Sequence, residues 1–214
     1  MNDVGVKLTP ITDEMYRLYF REYENDPDLY MYGQEYVHYE YSEEMVERYV
    51  QRQRDLKRIT LAVLCGDDIV GEIIIKNIEE HKCATMGIAL KNAKYKNRGI
   101  GTAAERLAIR FVFYELDIPT LYADTIQTNI RSQHVLEKVG FSFIREDKDF
   151  KYYRIDRKHE LFRQHQVQIQ SVSEGEGDHA DPAANVEGDG DVLDIAVVFS
   201  HGKASEIPDR RKKE

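Results

Sequence analysis

The sequence predicts an α/β fold in which helices flank a central, mostly antiparallel, twisted sheet. Three observations favour it: apolar residues recur at helical spacing before residue 57, β-rich runs follow up to residue 90, and helices then alternate with strands. The chain has 214 residues, which is room for one domain and about fifty residues more.

Two helices are predicted before the sheet. Thr12 can cap the first, and Met15, Leu18 and Tyr19 are spaced for one buried face. The second spans Ser42–Leu56 and is capped by Ser42. Its predicted apolar residues are Met45, Val46, Tyr49 and Leu56.

Three strands follow. The β-rich runs Ile59–Leu64 and Ile69–Ile78 are separated by a Gly/Asp turn at 65–68, which predicts a hairpin. Thr85–Leu90 is the third strand.

The remaining elements alternate. Thr102–Leu116 is a predicted amphipathic helix with Ala104, Leu107, Ala108, Phe111 and Val112 on its apolar side. The strand Leu121–Ile126 precedes a helix at Ile130–Val139, which Asn129 can cap and Gly140 can end. A last hairpin pairs Phe141–Ile144 with Lys151–Ile155.

Charge divides the chain into a domain at 1–160 and an acidic extension at 161–214. Between residues 171 and 194 there are eight acidic residues and no Lys or Arg, so this stretch cannot bury enough apolar surface to fold. We expect a largely disordered tail. The apolar run 192–199 is either one sticky spot in it or a short strand that docks on a sheet edge or partner.

Composition narrows the function classes. A formal charge of −9 opposes nucleic-acid binding, and no apolar stretch is long enough to span a membrane. The first ten residues lack a secretory signal, so a cytoplasmic protein is expected. Cys65 and Cys83 do not form a disulfide framework or a zinc motif, and no metal is predicted. A homodimer is compatible with the sequence.

A glycine-rich turn, Lys96–Thr102, lies between the third strand and the long helix. Gly99 and Gly101 allow a ligand to approach the backbone, and the amides that begin the helix can bind an anion such as a pyrophosphate. The alternative to anion binding is that the turn requires its two glycines for steric reasons alone. The turn is neither a P-loop nor a dinucleotide fingerprint.

The residues around this turn resemble a known family. The run Gly87–Leu90, the Lys96-x-x-Gly99-x-Gly101 turn, Asn129–Ser132 and Leu136–Phe141 are similar to the GNAT superfamily of acyl-CoA N-acyltransferases. The similarity is closest to its ribosomal-protein-alanine and diamine acetyltransferase-like branches. Lys96 departs from the usual Gln or Arg of the family, although a cation there still suits an anionic ligand.

The resemblance implies a GNAT-like fold over 1–160 and acetyl-CoA as cosubstrate. It implies backbone contacts to the pantetheine arm from Ile88, Ala89 and Leu90. It implies that the pyrophosphate is wrapped by Lys96, Asn97, Arg98, Gly99, Ile100, Gly101 and Thr102. Asn129 would contact the cosubstrate near its thioester, or be a plain helix cap.

Acyl transfer to an amine requires a base and a proton for the departing thiolate. Glu72 lies among apolar neighbours in a predicted strand and is the candidate base; the alternative is a carboxylate that points to solvent. Ser132 is one helical turn after Asn129 and is the candidate acid, or merely a polar residue of the first turn. A Tyr acid used by many relatives is excluded because Leu136 stands at that position.

The acceptor side is predicted between residues 16 and 49, which contain nine tyrosines and nine carboxylates. Their rings are either core or the walls of an acidic aromatic cleft for a cationic amine. The candidate substrate residues are Tyr30, Tyr32, Glu35 and Tyr39. The segment Glu24–Asp28 is expected to be a mobile loop over this cleft.

Two functions follow. The first is an N-acetyltransferase that moves the acetyl group of acetyl-CoA to a primary amine, either a small cationic amine or a protein or peptide N-terminus, by direct attack. The second is an acyl-CoA-binding sensor or partner-binding module without turnover.

Overall fold

A seven-stranded sheet organises the computed structural model, which describes residues 5–27, 29 and 38–158. Its strands are β1 (Val6–Pro10), β2 (Ile59–Cys65), β3 (Asp68–Glu79), β4 (Cys83–Leu90), β5 (Thr120–Ile126), β6 (Ser142–Glu146) and β7 (Phe150–Asp156). Its α-helices are α1 (Asp13–Arg21), α2 (Glu43–Asp55), α3 (Ile100–Arg110) and α4 (Ile130–Val139). The strand order is β1-β2-β3-β4-β5-β7-β6, and only β4 and β5 are parallel. The mostly antiparallel sheet with flanking helices is confirmed.

The local signals at the ends of the helices act as predicted. The hydroxyls of Thr12 and Ser42 each accept a hydrogen bond from the backbone amide three residues later, at 3.2 Å. Gly140 ends α4 with φ +119°, a conformation that costs glycine little. Gly66 has φ +64° in the tight turn between β2 and β3.

Two cores lie on opposite faces of the sheet. Helices α3 and α4 cover one face, where Ile73, Met86 and Phe113 are fully buried. Helices α1 and α2 cover the other face, where an aromatic cluster packs on Ala62 and Ile69. The buried rings of this cluster are those of Tyr16, Tyr19, Phe20, Tyr39 and Tyr49. Because Ile73 belongs to the first core, its neighbour Glu72 points toward the second.

Three apolar residues that periodicity assigned to buried faces are exposed. Leu18 and Leu56 are each 48% exposed and Leu107 is 37% exposed. In α1 the buried stripe runs instead through Tyr16, Tyr19 and Phe20, whose rings pack against one another and against α2. Large rings bury more area than leucine and decide the orientation of the helix.

Two elements differ from the prediction. Strand β1 was not predicted; it is only five residues long and ends in a proline, which an edge strand tolerates. The long helix begins at Ile100, because Gly99 adopts φ +80° immediately before it, and it widens into a π-helical turn at Phe111–Glu115.

The predicted tail, with the apolar run 192–199, falls outside the described residues. Its disorder and its role remain predictions.

Candidate active site

The sheet opens between its two parallel strands. Strands β4 and β5 pair from Cys83 with Thr120 up to Met86 with Ala123, but β4 continues to Leu90 and β5 to Ile126. Among the described residues, no pairing joins β4 to β5 beyond that point. We call the resulting gap between residues 87–90 and 124–126 the split. A crevice at the carboxyl ends of parallel strands is where open α/β sheets bind ligands.

Residues Ile88, Ala89 and Leu90 form the β4 side of the split. Each remains paired with β3 and is partly buried. Because alternate backbone groups of a strand point to opposite neighbours, this stretch presents N–H and C=O groups to the gap. Such groups can bind the amides of an extended chain, as the pantetheine prediction requires.

The N-terminus of α3 follows β4 through a 3-10 turn at Ala93–Tyr95. Its N-cap, Gly99, provides no side chain, so no side-chain acceptor satisfies the first amides of the helix. These amides and the helix dipole favour an anion. A Cβ built on Gly101 meets nothing within 4 Å, so the space beside this turn is open.

The predicted members of the turn differ in what they can offer a ligand. Asn97 and Arg98 are exposed, and Gly101 and Thr102 are partly exposed. Ile100 is 1% exposed and anchors α3 in the core, so only its backbone can contact a ligand. The Lys96 ammonium binds the Asp26 carboxylate.

The N-terminus of α4 follows β5 on the other side of the split. The side-chain oxygen of Asn129 accepts a hydrogen bond from the Ser132 amide at 3.0 Å, so Asn129 caps the helix as the alternative interpretation held. The cap places the Asn129 side chain beside the Ser132 backbone amide; that both side chains face one site stays a prediction. The Asn129 amide group and the Ser132 hydroxyl retain donors for a ligand.

Glu72 lies in β3 directly opposite Ala89 of β4. Its side chain is fully buried, which excludes the alternative of a solvent-facing carboxylate. Oε1 accepts a hydrogen bond from the Tyr49 phenol at 2.7 Å, and Oε2 accepts one from the Tyr16 phenol at 3.2 Å. Burial, and then the negative charge of Glu72, holds the pKa of both phenols well above the usual range. They therefore remain protonated donors at any working pH.

Facing residues of paired strands share a face, so Glu72, Gly87 and Ala89 lie on the α1/α2 side of the sheet. A Cβ built on Gly87 meets nothing within 4 Å. Open space at the split is thus on the same side as the buried carboxylate.

Tyr16 and Tyr49 were missed as partners of Glu72 by sequence reasoning. A carboxylate between apolar strand neighbours needs donors, and tyrosines on two helices were the available signal. Helical spacing alone did not say which rings point to the sheet.

The predicted substrate residues are only partly placed. The Tyr39 ring is 7% exposed and packs in the aromatic cluster, 5.1 Å from the Tyr23 ring, so its contact with an acceptor remains a prediction. Tyr30, Tyr32 and Glu35 lie outside the described residues.

Comparison with known proteins supports the family that the sequence resembles. A family model described as the acetyltransferase (GNAT) domain matches residues 6–142. The chain belongs to this family. It is therefore an acyl-CoA-dependent acetyltransferase with acetyl-CoA as cosubstrate.

One curated relative of this GNAT chain is the spermidine N(1)-acetyltransferase of Escherichia coli strain K12. It is 28% identical over 139 residues, which are 64% of this chain and 73% of the relative. Of the two branches that the sequence resembles, this similarity supports the diamine acetyltransferase-like branch.

Solved structures support the fold. Spermidine N-acetyltransferase of Vibrio cholerae, in complex with CoA and spermine, has 19% identity and a TM-score of 0.58 over 73% of this chain and 98% of that one. An aminoglycoside acetyltransferase in complex with coenzyme A has 13% identity and a TM-score of 0.61, over 74% and 99%.

In the part of the chain that the structure describes, no group of His, Cys, Asp or Glu side chains is arranged to hold a metal ion. The helices of that part are also too short or too polar to cross a membrane.

Proposed function

We propose that this acetyltransferase moves the acetyl group of acetyl-CoA to a primary amine by direct attack. The observation that carries the proposal is the buried Glu72 carboxylate opposite Ala89, on the side of the split where space is open. Small cationic amines and peptide N-termini are the acceptor classes that the chemistry fits.

The cosubstrate is held at the split. The amides that begin α3 bind its pyrophosphate, and Gly101 leaves room for it. Backbone groups of Ile88–Leu90 bind its pantetheine arm as a neighbouring strand would. Asn129 contributes its amide group from the other side of the split.

The acceptor reacts as a neutral amine on the Glu72 side. The phenol of Tyr16 or Tyr49 takes a proton from the bound ammonium while it passes its own proton to Glu72, and the neutral amine that remains then attacks. Glu72 releases the proton to water after the transfer. This relay suits a carboxylate that is itself fully buried. The new bond is N–C and the bond that breaks is C–S.

The departing thiolate receives a proton from the Ser132 hydroxyl, and water restores that hydroxyl with the proton that the attacking nitrogen releases as the amide forms. The Asn129 cap fixes the first turn of α4 and hence the position of Ser132. The products are the acetylated amine and CoA, and no covalent acyl-enzyme is needed.

A thiol-release screen tests the proposal. Acetyl-CoA is offered with spermidine, spermine, an aminoglycoside, free amino acids and short peptides, and products are identified by mass spectrometry. Thiol release above the amine-free rate, together with an acetylated product, is expected for at least one amine. Tight acetyl-CoA binding with no thiol release above the enzyme-free rate for any amine would favour the module without turnover.

A further inference from the structure

Two hydrogen bonds and an ion pair attach segment 22–27 to the residues that follow β4, beside the split. The Glu24 amide donates to the Lys91 carbonyl at 2.8 Å, and the Asn92 side chain donates to the Glu22 carbonyl at 3.1 Å. The Lys91 ammonium lies 2.8 Å from the Glu22 carboxylate. Backbone and side-chain bonds thus join the described part of the expected mobile loop, Glu24–Asp28, to the end of β4. Its mobility stays a prediction.

Asp26 continues this attachment across the split. Its Oδ2 accepts from the Lys96 ammonium at 2.5 Å and from the Arg131 guanidinium at 2.7 Å. The Asp26 and Lys96 side chains are 10% and 15% exposed, whereas Arg131 is 39% exposed. The Lys96 pair is thus shielded from solvent, unlike ordinary surface ion pairs.

The two cations belong to opposite walls of the split. Lys96 begins the turn that leads into α3, and Arg131 is in the first turn of α4. Both helices present their N-termini near the ends of β4 and β5, where an anion is favoured. One carboxylate therefore links the acceptor-side segment to both helices that flank the cosubstrate.

We propose that Asp26 is a positioning residue with two effects, an inference that rests on the proposed function. It holds segment 22–27 across the carboxyl ends of β4 and β5, so that the acceptor meets an ordered surface. It also offsets half of the positive charge of Lys96 and Arg131 and thereby weakens their attraction for the phosphates of the cosubstrate.

These effects have opposite signs when the charge of Asp26 is removed. Lys96 and Arg131 then lie uncompensated beside an anion-binding turn, so CoA binds more tightly. Segment 22–27 loses its link to both helices, so the acceptor binds more weakly. Loss of a merely structural contact would weaken both.

The test compares Asp26→Asn with Glu24→Gln in the full chain. Glu24 is an exposed carboxylate of the same segment, so its variant makes the same change in net charge. Calorimetry measures the Kd of CoA at low and high salt, thiol release measures the KM of spermidine, and hydrogen exchange measures protection of the Glu24 amide.

For Asp26→Asn we expect the Kd of CoA to fall about three-fold at low salt and less at high salt. The KM of spermidine rises at least about five-fold and protection of the Glu24 amide decreases. Glu24→Gln changes the Kd and the KM by less than about two-fold. Asp26→Glu, which keeps the charge, restores both values toward wild type and guards against a folding defect.

The proposal is overturned if CoA binding weakens, if the KM does not rise, or if Glu24→Gln behaves like Asp26→Asn. Should wild type acetylate neither spermidine nor any amine of the screen, the proposed function fails. CoA affinity and hydrogen exchange then still decide the role of Asp26, because unchanged values in Asp26→Asn overturn it.

Discussion

The phenol of Tyr49 donates a 2.7 Å hydrogen bond to Glu72, and both residues are almost wholly buried. The bond joins α2 to the strand beside the split. Burying a carboxylate costs free energy unless hydrogen-bond donors satisfy its oxygens. The phenols of Tyr49 and Tyr16 supply these donors and stabilise the buried Glu72.

Tyr49→Phe removes one donor and keeps the ring. We expect kcat for amine acetylation to fall, because Glu72 loses a fixed partner and a proton path. The Kd of CoA should stay within about two-fold of the wild-type value. Thermal unfolding should show a loss of about 1–3 kcal/mol, since a buried acceptor is left without its donor.

Leu56→Ala is the control for Tyr49→Phe, because Leu56 follows the same helix and is exposed. If Tyr49→Phe retains wild-type kcat at every pH, the Tyr49 phenol is structural and the relay through it must be abandoned, which leaves only the Tyr16 route.

Gly101→Asp introduces a negative charge into the open space beside the anion-binding amides. The Kd of acetyl-CoA should rise at least about ten-fold, equivalent to about 1.4 kcal/mol. Gly101→Asn has nearly the same size without the charge and should cost clearly less. Equal affinities for wild type and a folded Gly101→Asp would remove the turn from the cosubstrate site. Gly99 is unsuitable for this test, because φ +80° makes any substitution there strained.

Glu105 is a buried carboxyl group of α3, and its Oε2 has no hydrogen-bond partner among the described residues. Burial raises its pKa to about 8 from 4.5. Between these values the folded chain holds a proton that the unfolded chain has released, so stability falls as pH rises from about 4.5 to about 8.

Glu105→Gln removes this proton linkage. The variant should gain on the order of a few kcal/mol relative to wild type between pH 5 and pH 8. Denaturant unfolding at several pH values measures the gain, and Glu115→Gln, an exposed site just after the same helix, is the control. A difference between Glu105→Gln and wild type that stays constant with pH would show that Glu105 does not titrate in this range.

Truncation after Arg163 tests the predicted division of the chain. Because the acidic stretch 171–194 has no core to join, the truncated protein should bind acetyl-CoA with unchanged Kd. Its Tm should lie within about 2–4 °C of the full chain, which corresponds to about 1 kcal/mol. A larger fall in Tm, or lost binding, would indicate that the run 192–199 docks on the domain.

Local features were predictable because short-range chemistry determines them. The caps at Thr12 and Ser42, the turn at Gly66 and the αL residue Gly140 each depend on a few neighbouring residues. Glu72 could be singled out because a carboxylate in an apolar strand is unusual.

Long-range partners were not predictable in the same way. Asp26 meets Lys96 and Arg131 across 70 and 105 residues of sequence, and Tyr16 meets Glu72 across 56. Periodicity gives a helix one buried face but no partner for it. In α1 it even favoured Leu18, whereas the larger rings of Tyr16 and Phe20 took the buried positions.

Acetyl transfer on the Glu72 side of the split makes the pH–rate profile of Glu72→Gln the decisive measurement. With the best amine of the screen, we expect kcat at neutral pH to fall at least about ten-fold, or 1.4 kcal/mol. The rate should recover partly at alkaline pH, where more of the amine is already neutral, and the Kd of acetyl-CoA should remain that of wild type. A Glu72→Gln variant with wild-type kcat and an unchanged pH profile would mean that Glu72 takes no part in the transfer.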